Sequence, residues 1–129
     1  MMKQLSRQSA LAVLAVLLVL LLLGTQMPGA WRDEAFRVTQ LPWQLTKVAH
    51  FVVFAGLACV ARLPPLAQPL VRVWAAALAL GLLTEGLQFF ASHRDPSVAD
   101  VAIDLAGTAL GLGLAWAAVR LSDARCLGR

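Results

Sequence analysis

Apolar residues fall in four long runs, separated by short stretches rich in proline and charge. The first is unbroken from Ala10 to Leu23 and continues through Gly24, Thr25 and Gln26. With their flanks, the runs predict helices over residues 8–26, 45–63, 70–91 and 97–121, each near the ~20 residues that carry an α-helix across a bilayer. The segment Arg62-Leu63-Pro64-Pro65-Leu66-Ala67-Gln68-Pro69 is a short turn, because proline cannot continue a helix. Residues 25–46 make a longer connection. There Trp31, Ala35 and Val38 recur at helical spacing, which fits either a segment lying flat on the membrane or a loop with aromatic anchors. The expectation is one domain over residues 1–129, an all-α four-helix transmembrane bundle.

Composition strengthens the choice of lipid as solvent. Of 129 residues, 60% are hydrophobic and 14% charged, with a mean hydropathy of +0.74. Soluble domains carry roughly 25% charged residues. The net charge of +4 does not point to nucleic acid, because Lys and Arg sit singly at the ends of the apolar runs and form no stripe. Cys59 lies inside a hydrophobic run and Cys126 in the charged tail, so neither suggests a disulfide framework or a metal role.

The same basic residues predict an orientation. With the N-terminus in the cytoplasm, Lys3, Arg7, Arg62, Arg72, Arg120, Arg125 and Arg129 lie inside, and Arg32, Arg37, Lys47 and Arg94 outside. The positive-inside rule then gives N-in, C-in. Trp31, Trp43, Phe89 and Phe90 fall at the outer boundary, Trp74 and Trp116 toward the inner one. Lys3 and Arg7 before an apolar run also resemble a signal peptide, but the run is long for one and Pro28-Gly29-Ala30 matches the cleavage pattern poorly. A retained helix is expected.

Polar residues that interrupt the last three runs carry the candidate chemistry. At 1.5 Å per residue, Glu85 lies ~9 Å inside the outer end of its helix, Asp104 ~10 Å and His50 ~7 Å. Three ionisable groups on three helices therefore arrive at one depth. Gly81, Thr84, Glu85 and Gln88 share one helical face; so do Asp100, Asp104, Gly107, Thr108 and Gly111, and Lys47, His50, Phe51 and Phe54. These stripes are expected to face one another, with Gly107 and Gly111 as a small-x-x-x-small contact and the leucines left to lipid. The first helix has no such stripe and serves as support. Lys47 and Arg94 bring two positive charges against the three negative ones of Glu85, Asp100 and Asp104. An unpaired charge at mid-bilayer costs about 2.5–3.5 kcal/mol, so the cluster should hold a direct ion pair or a shared proton, with Glu85 and Asp104 the residues to hold that proton.

Plainer readings exist for several of these. Ser97-Val98-Ala99-Asp100 matches a capping box, in which Asp100 merely starts the last helix. Lys47 could be an interfacial anchor, and Arg94, with His93, a solvated turn residue. His50, Glu85 and Asp104 resist such readings, since ionisable residues inside membrane helices are functional candidates by default; their own alternative is a polar clamp between helices. No metal-binding pair of histidines, phosphate loop or nucleophile elbow is present in the sequence, so no metal and no cofactor is expected.

In order, Lys47-Val48-Ala49-His50-Phe51, Thr84-Glu85-Gly86-Leu87-Gln88, Arg94, Asp100 and Asp104-Leu105-Ala106-Gly107, with Gly111 following, resemble the VanZ-like membrane protein family over residues 47–113. Thr46 stands where an acid often precedes the lysine, and Asp104 where asparagine is frequent, which alters the charge balance of the cluster. The resemblance implies a multi-pass protein of the bacterial cytoplasmic membrane and cell envelope. The family is named for a determinant of resistance to the glycopeptide teicoplanin, and implies no settled reaction. On this reading Lys47 and Arg94 attract the phosphate of a membrane lipid or a lipid-linked cell-wall precursor. His50 and Glu85 are then the acid/base pair if chemistry occurs, and Gln88, Asp100 and Asp104 complete the binding site. The alternative is a membrane adaptor whose polar residues only specify helix packing.

Overall fold

The computed structural model describes residues 5–40, 42, 44–92 and 97–128, the side chains of residues 91 and 92 excepted. They form five helices: α1 (Arg7–Gln26), α2 (Gly29–Thr39), α3 (Gln44–Arg62), α4 (Leu70–Ser92) and α5 (Val98–Leu127). Among the described residues there is no strand. α1, α3, α4 and α5 are the helices long and apolar enough to cross a membrane. They match the four expected spans to within one residue at most ends. α5 departs at its far end and continues to Leu127 instead of stopping at residue 121, because Ser122-Asp123-Ala124-Arg125 holds no proline or glycine to break it. The connection after α1 contains a helix of its own, α2, so the fully loop-like reading of that segment does not hold.

Each helix begins and ends for a local reason. Ser6 caps α1, its Oγ accepting the Ser9 N–H at 3.1 Å. Met27 and Pro28 separate α1 from α2, and Gln40, in the left-handed region at φ 52°, ends α2. Between α3 and α4, Gln68 ties the proline-rich turn together. Its N–H donates to the Ala61 carbonyl (2.9 Å), its carbonyl accepts from Arg62 Nη1 (3.0 Å), and its Oε1 accepts from Arg72 Nη1 (2.7 Å).

The packing is inverted relative to a soluble protein. Leu, Val and Trp side chains point outward along all four long helices; Leu23, for instance, is 64% exposed. In water so continuous an apolar exterior would be a large liability, whereas in hydrocarbon it costs nothing. Inside lie mainly small and polar residues, with Leu21, Phe54, Val73 and Leu112 as the larger apolar ones. On α4 the buried positions are Val73, Ala77, Gly81, Thr84, Glu85 and Gln88, one narrow stripe at helical spacing. On α5 they are Asp104, Gly107, Thr108, Gly111, Leu112 and Ala115. α3 and α5 make the closest pair. A Cβ added at Gly107 would collide with the Phe51 carbonyl oxygen, and one at Gly111 with that of Ala55, so the two glycines let the backbones touch as small-x-x-x-small contacts do. The buried threonines need no partner across these interfaces. Thr84 Oγ1 donates to the Gly81 carbonyl (2.9 Å) and Thr108 Oγ1 to that of Asp104 (3.0 Å), each on its own helix. α1 packs on α3 and α4, with Leu21 against Phe54 and Ala77.

Candidate functional site

At the end of the bundle where α3 and α5 begin and α4 finishes, a cavity of about 130 Å³ opens between four helices. It is lined by Thr46, Lys47 and His50 of α3, by Glu85 and Gln88 of α4, by Asp100 and Ile103 of α5, and by Arg32, Asp33 and Phe36 of α2. The volume is many times the ~10–15 Å³ that holds one water. Its walls carry both signs of charge although the helices around it are apolar outside.

The helix spacings explain the convergence. Lys47 and His50 are three residues apart on α3, and Asp100 and Asp104 four apart on α5, so each pair stacks along the inner face of its helix. The close α3–α5 approach at Gly107 brings the pairs level. Lys47 Nζ lies 3.7 Å from Asp100 Oδ1, and His50 Nδ1 lies 3.2 Å from Asp104 Oδ1. The first is an ion pair of partly exposed side chains, the second is deeply covered, with the Asp104 side chain 1% and that of His50 12% exposed. Asp104 does not line the cavity. It sits beneath His50, against Gly81, whose missing Cβ would lie 3.4 Å from Asp104 Oδ2. That oxygen is buried and has no hydrogen-bond partner among the described residues.

Glu85 has a different task. Its Oε2 accepts the backbone N–H of Ser97 at 2.9 Å. Ser97 is the N-cap of α5, yet its own side chain makes no capping bond. The expected Ser97/Asp100 capping box is therefore not formed: a carboxylate from α4 takes the N-cap N–H that the box would assign to Asp100. This leaves the Asp100 carboxylate to face Lys47. A carboxylate at that position also meets the positive end of the α5 dipole.

Of the residues singled out from sequence, Lys47, His50, Glu85, Gln88 and Asp100 line one cavity, and Asp104 supports it from below. Arg94, with His93 and Asp95, lies outside the described residues, as does Trp43. Among the described residues no three His, Cys, Asp or Glu side chains gather as a metal site would require. Sequence reasoning missed Arg32, Asp33 and Phe36. The signal was present, since Trp31, Ala35 and Val38 mark one face of α2 and these three lie on another, but nothing in the spacing said that α2 folds over the other helices. On α2's solvent side Arg37 forms a two-bond pair with Glu34 (2.9 and 2.6 Å), which raises the guanidinium pKa above its ordinary value.

No curated protein and no solved structure matches the chain. A family model described as VanZ/LLP1 matches residues 4–120. The match reaches well beyond residues 47–113 and takes in α1 and α2, so the helix that roofs the cavity is covered by it along with the three that wall it. This chain is a membrane protein and belongs to the VanZ/LLP1 family.

Proposed function

We propose that the protein is a multi-pass component of the bacterial cytoplasmic membrane, both termini in the cytoplasm, whose cavity binds the headgroup of a membrane lipid or lipid-linked cell-wall precursor at the outer leaflet. A role in glycopeptide (teicoplanin) resistance would follow from capture of such a precursor. The observation that carries this reading is the convergence of Lys47, His50, Glu85, Gln88 and Asp100 on one cavity at one end of an otherwise apolar bundle. Lys47, with Arg94, attracts the phosphate. His50 and Glu85 are the groups able to exchange a proton with the ligand, and Gln88, Asp100 and Asp104 orient them.

Native mass spectrometry of the purified protein tests this. A phosphate-bearing lipid should stay with the wild type and be lost from Lys47→Ala and Arg94→Ala; equal retention by all three would overturn the assignment. A second reading, a structural adaptor, is favoured by the Glu85–Ser97 bond and the glycine contacts, which are packing devices. Under that reading Glu85→Gln, which still accepts the N–H, keeps any cellular phenotype; under the headgroup reading it does not.

A further inference from the structure

Asp104 is a buried carboxylate whose one polar contact among the described residues, apart from its backbone, is His50 Nδ1. Such a carboxylate is tolerable only if a donor compensates it. The imidazole ring has nitrogens on two edges, and in its neutral form one donates while the other accepts. Here the Nδ1 edge is turned to Asp104 beneath, while the ring itself lines the cavity. We infer that Asp104 locks His50 in the Nδ1–H tautomer and that the Nε2 lone pair faces the cavity as a general base, which takes the proton of a hydroxyl on an anionic ligand held at Lys47. The inference rests on the headgroup reading for its ligand and adds the chemistry the ligand must have: an O–H beside a phosphate or similar anion.

The proton balance is simple. The O–H bond of the ligand, or of a water beside it, breaks and the proton passes to Nε2. His50 becomes an imidazolium, Nδ1–H still donating to Asp104, and the pair passes from one net negative charge to none while the ligand or water oxygen takes up the negative charge, with Lys47 in the same cavity wall to face it. The other charged groups facing the site are Lys47 on α3, Glu85 on α4, Asp100 on α5, and Arg32 and Asp33 on α2. Glu85 is less suited to the base role because Oε2 already serves the start of α5. Asp104 is a positioning residue, acting on the ligand only through His50.

The tautomer is directly observable. The sequence has two histidines, so His93→Gln leaves His50 as the single source of imidazole signals. Nitrogen NMR of this protein, isotope-labelled and held in lipid nanodiscs at mildly alkaline pH, should give a protonated, pyrrole-type Nδ1 and an unprotonated, pyridine-type Nε2. Free histidine favours the opposite assignment. In Asp104→Leu the two signals should exchange character. A neutral ring protonated at Nε2, or a ring protonated at both nitrogens under these conditions, would overturn the inference, as would an unchanged spectrum in Asp104→Leu. If that variant does not fold, the unsubstituted Asp104 protein decides alone. Lipid retention is read separately, so failure of the headgroup reading leaves the tautomer result intact, and the reverse also holds.

Discussion

Replacing Gly107 by alanine should damage the protein more than its size suggests. The added Cβ would lie 3.1 Å from both the Cα and carbonyl carbon of Phe51, and closer still to the carbonyl oxygen. Carbon atoms pack at about 3.5–4.0 Å, so α5 has to retreat from α3 by ~0.5–1 Å. Phe51 follows His50 directly, and Gly107 lies one turn from Asp104, so the retreat acts where those helices hold the pair. At 3.2 Å the His50–Asp104 bond is already at the long end of the N–H···O range, and that shift would break it. Overpacking costs about 1–3 kcal/mol and a hydrogen bond to a charged group is worth about 1.5–3 kcal/mol, against a gain of up to ~1 kcal/mol in helix propensity for alanine. The net loss should be about 1.5–6 kcal/mol. Gly113, two turns nearer the far end, is the control: nothing lies within 4 Å of its added Cβ, so Gly113→Ala should be neutral or stabilising by up to ~1 kcal/mol. Reversible unfolding of the detergent-solubilised variants by increasing sodium dodecyl sulfate, followed by circular dichroism, measures both. Equal stability of Gly107→Ala and Gly113→Ala would refute the close-contact account of the α3–α5 pair.

Other outcomes follow from the same contacts. Glu85→Ala should cost about 1–3 kcal/mol by stranding the Ser97 N–H, while Glu85→Gln, which keeps an acceptor, should cost much less; the same unfolding assay compares them. A double-mutant cycle on Lys47 and Asp100 should give a coupling of at most ~1 kcal/mol, because both side chains are partly open to solvent and their separation is 3.7 Å; a larger value would mean that the pair is drier than its exposure indicates. If α2 lies in the membrane interface, Trp31 as the single tryptophan should be quenched by lipids brominated near the headgroup, and quenching by aqueous iodide alone would place its exposed face in water. Cys126 is exposed near the C-terminal end, so in intact cells a membrane-impermeant maleimide should label it only after lysis; labelling before lysis would reverse the proposed orientation.

The four long helices were legible because length and hydropathy are local properties, read from consecutive residues. So were the buried faces of α4 and α5, since helical periodicity fixes which side chains share a side before any partner is known. What the pattern could not supply was partner choice. Asp100 fitted a capping box by spacing alone, yet the acceptor for the Ser97 N–H comes from Glu85, twelve residues back on another helix. The contribution of α2 was hidden for a related reason. Arg32, Asp33 and Phe36 gain meaning only once the chain folds them over a cavity made by three later helices. Whether such a segment covers a site is decided by tertiary geometry and leaves no period in the sequence.

The His50–Asp104 bond also sets an order on biogenesis. The two residues are 54 positions apart, and at roughly 5–20 residues per second a ribosome needs ~3–11 s to make the intervening chain. During that interval α3 enters the bilayer with an imidazole that has no carboxylate beneath it, and α4 carries a carboxylate whose N–H donor has not been synthesised. The last helix therefore completes both contacts at once. A chain released before α5 would hold several of the cavity's residues without the bonds that position them, leaving ionisable side chains in the bilayer as a signal by which membrane quality control could recognise an unfinished protein.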